Sequence, residues 1–117
     1  MAVRGSYAWL VVAASVLASC SGATMLPGAR QVAVAASPPG PGWNEVTILE
    51  GVDGVGCGPL GFRGHREPAV ERLRNLTVQV GGQWLQILEE HPPGEEPVCG
   101  GYDFRYVIRG MAWSRAH

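Results

Sequence analysis

An apolar segment near the start of the chain limits how many residues can contribute to a folded core. It covers residues 7–17 (YAWLVVAASVL) and follows Arg4, the only charged residue among the first 19. The segment is too short to cross a bilayer as a permanent helix, and small residues follow it, so the pattern predicts a signal peptide over residues 1–19. Removing 19 of the 117 residues leaves 98, which is enough for one small domain.

Residues 17–20 (LASC) resemble the lipobox of bacterial lipoproteins, in which the cysteine thiol takes a diacylglyceryl group before the leader is cut. We therefore predict that the mature chain begins at a lipid-modified Cys20. The alternative is an ordinary secretory leader followed by a chance cysteine. In enterobacteria, a serine at the position of Ser21 implies sorting to the outer membrane. The predicted location is thus the bacterial envelope, at the outer membrane and facing the periplasm.

The stretch after Cys20 has the composition of a linker. Residues 21–43 contain mainly Ser, Gly, Ala and Pro, with the run PPGPG at residues 38–42. Such a composition neither nucleates a helix nor supplies an apolar face. We predict a flexible tether over residues 20–43 and a folded domain over residues 44–117, with a short strand at residues 33–36 as an alternative within the tether.

Three strand patterns surround one helical pattern in the predicted domain. Residues 43–50 and 83–89 are rich in strand-forming residues, and residues 104–113 alternate apolar with polar side chains. The helix is expected to have Pro68 at its first position and to end at Gly81. Its apolar stripe is formed by Ala69, Leu73, Leu76 and Val80. The predicted fold class is α+β, a two-layer sandwich with one helix on a three-stranded, mainly antiparallel sheet in the order β-α-β-β.

Two cysteines remain after Cys20. In an oxidising compartment an even pair indicates a disulfide, so we predict a bond between Cys57 and Cys99. The alternative is a metal-binding or thiol enzyme module that uses Cys57, His65, His91 and Cys99. Each cysteine in that set lies eight residues from its histidine, whereas structural zinc ligands usually lie two to four residues apart.

Composition excludes several other functions. The chain has no lysine, which excludes a Walker A loop, a Schiff base and a lysine general base. The formal net charge is -1, and no basic patch indicates nucleic acid as a partner. No nucleophile has a base at a recognisable spacing. We therefore predict a protein that is not an enzyme and needs no cofactor.

The final strand pattern offers a candidate interface. Arg105, Arg109 and Trp113 share the outward face of that strand, and arginine and tryptophan are favoured at interface hot spots. The alternative is a purely structural role, in which these side chains only cover the outside of the sheet. The sequence thus predicts a lipid-anchored envelope protein that acts by protein–protein contact, as a sensor or accessory subunit. Its predicted partners are the membrane, through the lipid, and another envelope protein.

From Val46 onward the chain resembles small bacterial envelope lipoproteins related to the Rcs stress-sensor outer-membrane lipoprotein. The similarity rests on residues 56–58 (GCG), residues 73–75 (LRN) leading into residues 81–87 (GGQWLQI), Cys99, and residues 106–113 (YVIRGMAW). These motifs are structural, so the resemblance implies a fold more than an activity. The Rcs sensor carries four cysteines in its domain, whereas this domain carries two.

Overall fold

A four-stranded mixed sheet forms one layer of the computed structural model, which describes residues 24–56, 61–94 and 104–116. The strands are β1 (Ala33–Ala35), β2 (Trp43–Asp53), β3 (Trp84–His91) and β4 (Tyr106–Arg115), and their order across the sheet is β1-β3-β4-β2. Both β2 and β3 pair antiparallel with β4, whereas β1 pairs parallel with β3. The last strand in the chain is therefore central in the sheet.

One helix, α1 (Arg66–Gln79), packs on one face of this sheet. Leu73 is fully buried and belongs to the same core cluster as Leu85 of β3 and Ile108 of β4. The helix begins two residues before Pro68. Proline is tolerated at this third helical position because the N–H groups of the first turn have no partner within a helix.

The helical pattern is confirmed, but its apolar stripe is shifted. Ala69 and Leu73 are buried as predicted, and Leu76 packs against the core, whereas Val80 is 37% exposed. Val80 lies after the last helical residue, where Gly81 turns the chain away with φ +82. Val70 and Thr77 are buried in addition, and the Thr77 hydroxyl donates to the Leu73 carbonyl at 2.7 Å, which satisfies it inside the core.

The prediction of an α+β fold with one helix is confirmed, but the prediction of three strands is wrong. The fourth strand, β1, follows a 3-10 turn (Ala29–Gln31) inside the segment predicted as a tether. Ala29 and Val32 are buried there, and the strand hydrogen-bonds to the edge of β3. A flexible tether over residues 20–43 therefore does not describe residues 29–35. The strand is only three residues long, so it shows no periodicity in the sequence.

All three cysteines lie outside the described residues. The lipid on Cys20 and the disulfide between Cys57 and Cys99 accordingly stay predictions. No helix in the described parts of the chain is both long enough and apolar enough to span a membrane.

Candidate functional site

The sheet has two faces, because side chains alternate along each strand. Even-numbered residues of β4, such as Ile108 and Ala112, are buried beneath α1, whereas odd-numbered residues point to the opposite side. We call this opposite side the open face, because no helix of the described residues packs on it. The strand registers assign to it Trp43, Glu45, Ile48, Glu50 and Val52 of β2, Trp84, Gln86, Glu89 and His91 of β3, and Val107, Arg109, Met111, Trp113 and Arg115 of β4.

Three tryptophans lie together at one end of the open face. Trp84 of β3 is in register with Trp113 of β4, and the ring of Trp84 meets that of Trp43 edge to face, with centroids 5.9 Å apart. The guanidinium of Arg115 lies 5.0 Å from the centre of the Trp43 ring, within the range of a cation–π interaction. This aromatic end thus combines a large apolar surface with a cation.

The polar edges of two of these rings are satisfied within the chain. The indole N–H of Trp113 donates to the Gln86 side-chain oxygen at 3.0 Å, and that of Trp84 donates to the Ser37 carbonyl at 3.2 Å. These hydrogen bonds fix how the rings stand on the sheet. Beside them lies a cavity of about 500 Å³ lined by Gln31, Ala33, Trp43, Gln83, Trp84 and Arg115.

Charged side chains lie toward the other end of the open face. Arg109 of β4 is in register with Glu50 on one side and with Glu89 on the other. Among the described residues Arg109 forms no ion pair, while Glu89 contacts the His91 ring nitrogen at 3.3 Å. A cavity of about 350 Å³ lies between these four residues and Val107. The Arg109 guanidinium, a fixed fork of donors, thus lines this cavity together with two carboxylates.

The helix side of the sheet carries a different polar group of residues. The Glu90 carboxylate accepts from Arg66 of α1 at 2.7 Å and from the Tyr106 hydroxyl at 2.9 Å. Partial burial raises the pKa of Glu90, but these two hydrogen bonds and the charge of Arg66 outweigh it, so the pKa lies below its ordinary value. Burial and the neighbouring Glu90 carboxylate raise the pKa of Tyr106. This cluster joins the start of the helix to the sheet.

The structure brings two of the three predicted interface residues onto the open face. Arg109 and Trp113 lie on it, and Arg105 is half-buried just before β4 begins. The sequence did not single out Trp84 or Arg115. Both follow the strand alternation, but only the register between β3 and β4 shows that they share a face with Trp43.

The histidines of the alternative metal set lie on different sides of the sheet. The backbone N–H of His65, at the start of α1, donates at 2.8 Å to Asp53, whose partner in β4 is Tyr106 of the helix side. His91 lies on the open face beside Glu89. Within residues 24–56, 61–94 and 104–116, no three His, Cys, Asp or Glu side chains are placed to hold a metal ion.

Comparisons of this chain with protein-family models, with curated proteins and with solved structures found no match. The resemblance to Rcs-related lipoproteins therefore stays a prediction.

Proposed function

We propose that this protein is a lipid-anchored envelope protein that works by binding another protein through the open face, without catalysis. The observation that carries the proposal is the side-by-side arrangement of Trp43, Trp84 and Trp113 with two arginines on that face. Tryptophan and arginine dominate the binding energy of protein interfaces, because one offers a large rigid apolar area and the other a fork of donors.

The exposed apolar side chains of β2 support the same surface. Ile48 lies on the open face and is 45% exposed, and Val46, in the bulge two residues before it, is 38% exposed. Contiguous exposed apolar surface with a polar border is typical of protein interaction sites. The border is supplied here by Glu50, Glu89 and Arg109, which would set the orientation of a partner through charge complementarity.

Anchoring and a disulfide complete the proposal. Lipid on Cys20 would hold the domain at the bacterial envelope, and a bond between Cys57 and Cys99 would staple a domain whose core is small. Mass spectrometry of the unreduced, alkylated protein tests the bond: neither thiol should be labelled. Quantitative labelling of both, or bound zinc in stoichiometric amount, would contradict it and favour the metal-binding alternative.

Photo-crosslinking in cells tests the binding surface. Because the chain has no lysine, amine-reactive reagents have no side-chain amine to modify, so a photoreactive residue is placed at Ile48 on the open face. A matched probe at Gln79, exposed on α1, serves as the control. We expect one discrete adduct from position 48 and none of that size from position 79.

A double change, Arg109→Ala with Trp113→Ala, should abolish the adduct while circular dichroism shows a folded domain. Each hot-spot residue contributes about 2 kcal/mol or more to binding. An unchanged adduct with a folded domain would contradict this choice of surface. A turnover activity lost on His91→Ala, with the fold intact, would contradict the non-catalytic proposal itself.

A further inference from the structure

The amide of Asn75 holds the first described residues of the chain against the helix. The Leu26 N–H donates to the Asn75 side-chain oxygen, and the Asn75 side-chain nitrogen donates to the Thr24 carbonyl, both at 2.8 Å. One side chain thus satisfies a backbone donor and a backbone acceptor of the same segment, as a neighbouring strand would do. We call this pair of hydrogen bonds the clamp.

The clamp lies on the side of α1 that faces away from the sheet. Leu73 and Thr77 are fully buried toward the sheet, and Asn75 lies two residues from each. Two residues are about 200° of rotation at 3.6 residues per turn, so Asn75 lies nearly opposite both. From Thr24 the chain therefore runs along the outer side of the helix, passes the buried Ala29, and only then enters β1 at the edge of the sheet.

We infer that the lipid anchor holds the domain to the bilayer by the outer side of α1, so that the open face points away from the membrane. This inference rests on the proposed lipidation of Cys20. From Cys20 to Thr24 the chain advances four residues, which span at most about 14 Å even when fully extended. A helix is about 10–12 Å across, and the sheet adds a second layer behind it. The anchor cannot reach around both layers to bring the open face to the lipid.

The clamp decides this orientation because it shortens the stretch of chain between Cys20 and the first residue that is held against the domain. If residues 24–28 were released, the first buried residue would be Ala29, nine residues from Cys20, and the reach would grow to about 30 Å. That length passes the thickness of both layers. While the clamp is formed, a partner that meets the open face must lie on the far side of the domain from the bilayer that anchors it.

Tryptophan fluorescence can test the orientation directly, because the chain supplies its own reporters. Trp9 lies in the predicted leader, so the mature protein would keep only Trp43, Trp84 and Trp113, all on the open face. The lipidated protein is reconstituted into phosphatidylcholine vesicles that contain a lipid with a nitroxide on its headgroup. A variant with Gln79→Trp, one helical turn beyond Asn75, reports from the outer side of α1.

We expect little loss of native fluorescence in these vesicles and a strong loss of the added Gln79→Trp emission. Asn75→Ala should keep the helix, since alanine is the best helix former, and should increase quenching of the three native tryptophans. Gln79→Ala, an exposed change on the same helix, serves as the control and should leave quenching unchanged. Circular dichroism verifies that each variant is folded.

Two outcomes would overturn the inference, and they differ from each other. If the protein floats with the vesicles but its native tryptophans are quenched as strongly as the Gln79→Trp reporter, the orientation is wrong while the anchor stands. If the protein purified from cells does not float with vesicles and carries no lipid at Cys20, the anchor itself is wrong and the orientation falls with it.

Discussion

The two faces of the sheet are built from the same three long strands, yet their side chains differ in type and in burial. Under α1 most residues are small or aliphatic and buried, and Glu90 has hydrogen-bond partners from both layers. On the open face, large aromatic rings lie half-buried beside arginines. The helix side therefore carries the stability of the fold, whereas the open face holds area that a partner can still cover.

The largest difference between the faces should appear when a large side chain is truncated. Leu73→Ala removes a side chain with 0% exposure and should lower the free energy of unfolding by about 2–5 kcal/mol. Ile48→Ala, on the open face, should change it by about 0.5 kcal/mol or less. Urea denaturation of the isolated protein measures both. Equal losses of unfolding free energy in the two variants would contradict this difference between the faces, because Ile48 would then have to be covered within the monomer.

Replacing Asp53, the buried acid that accepts from the residue before α1, should lower the free energy of unfolding less than a core truncation does. The loss should still exceed that from replacing any charged residue of the open face. Asp53 is 6% exposed, accepts from the His65 N–H and lies 3.5 Å from the Arg72 guanidinium. Asp53→Ala leaves that N–H without its acceptor, so we expect a loss of about 1–3 kcal/mol in urea denaturation. Asp53→Asn keeps an acceptor and should lose less. An Ala variant as stable as the native protein would show that water replaces the carboxylate.

The pH dependence of stability sharpens the comparison on the helix side. Because the folded-state pKa of Glu90 lies below its ordinary value of 4.5, the unfolded chain binds more protons at acid pH. The stabilisation that Glu90 contributes is fully present above its pKa in the unfolded chain. It is lost as the pH falls through its pKa in the folded protein. The ion pair is partly exposed, so the effect should be under about 1 kcal/mol. Urea denaturation from pH 7 to pH 3 should therefore show a shallower fall for Glu90→Gln. An identical fall in both proteins would exclude Glu90 as its source.

A similarly small effect on folding is expected at the aromatic end. Arg115→Ala removes the cation above the Trp43 ring, and an exposed cation–π pair contributes about 0.5–1 kcal/mol. Arg115→Lys keeps a cation there and should lose less than the alanine variant. Thermal denaturation followed by tryptophan fluorescence measures both. A loss as large as that of Leu73→Ala would mean that the open face also contributes to the core.

The sequence predicted the elements better than their arrangement. The helix stripe around Leu73 and the alternation in β4 follow local periods, so both were readable from the chain. Strand β1 was considered only as an alternative within the tether, because a three-residue strand is too short to show a hydrophobic period in the sequence. It is held by pairing with Trp84 and the residues after it, which lie far away in the chain. The aromatic end was predicted only in part for the same reason: Trp113 was placed on the outward face, but its position beside Trp84 and Trp43 depends on strand register.

The central position of β4 has a consequence for how this chain can be assembled. Strand β2 has no other strand neighbour within the described residues, and β3 has only the three-residue β1 on its other side. A chain delivered from its N-terminus would therefore present β2, α1 and β3 before the strand that joins them exists. Until residues 106–115 arrive, two long strand edges stand open to other chains. During the interval between the delivery of β2 and that of β4, these unpaired edges are an aggregation hazard.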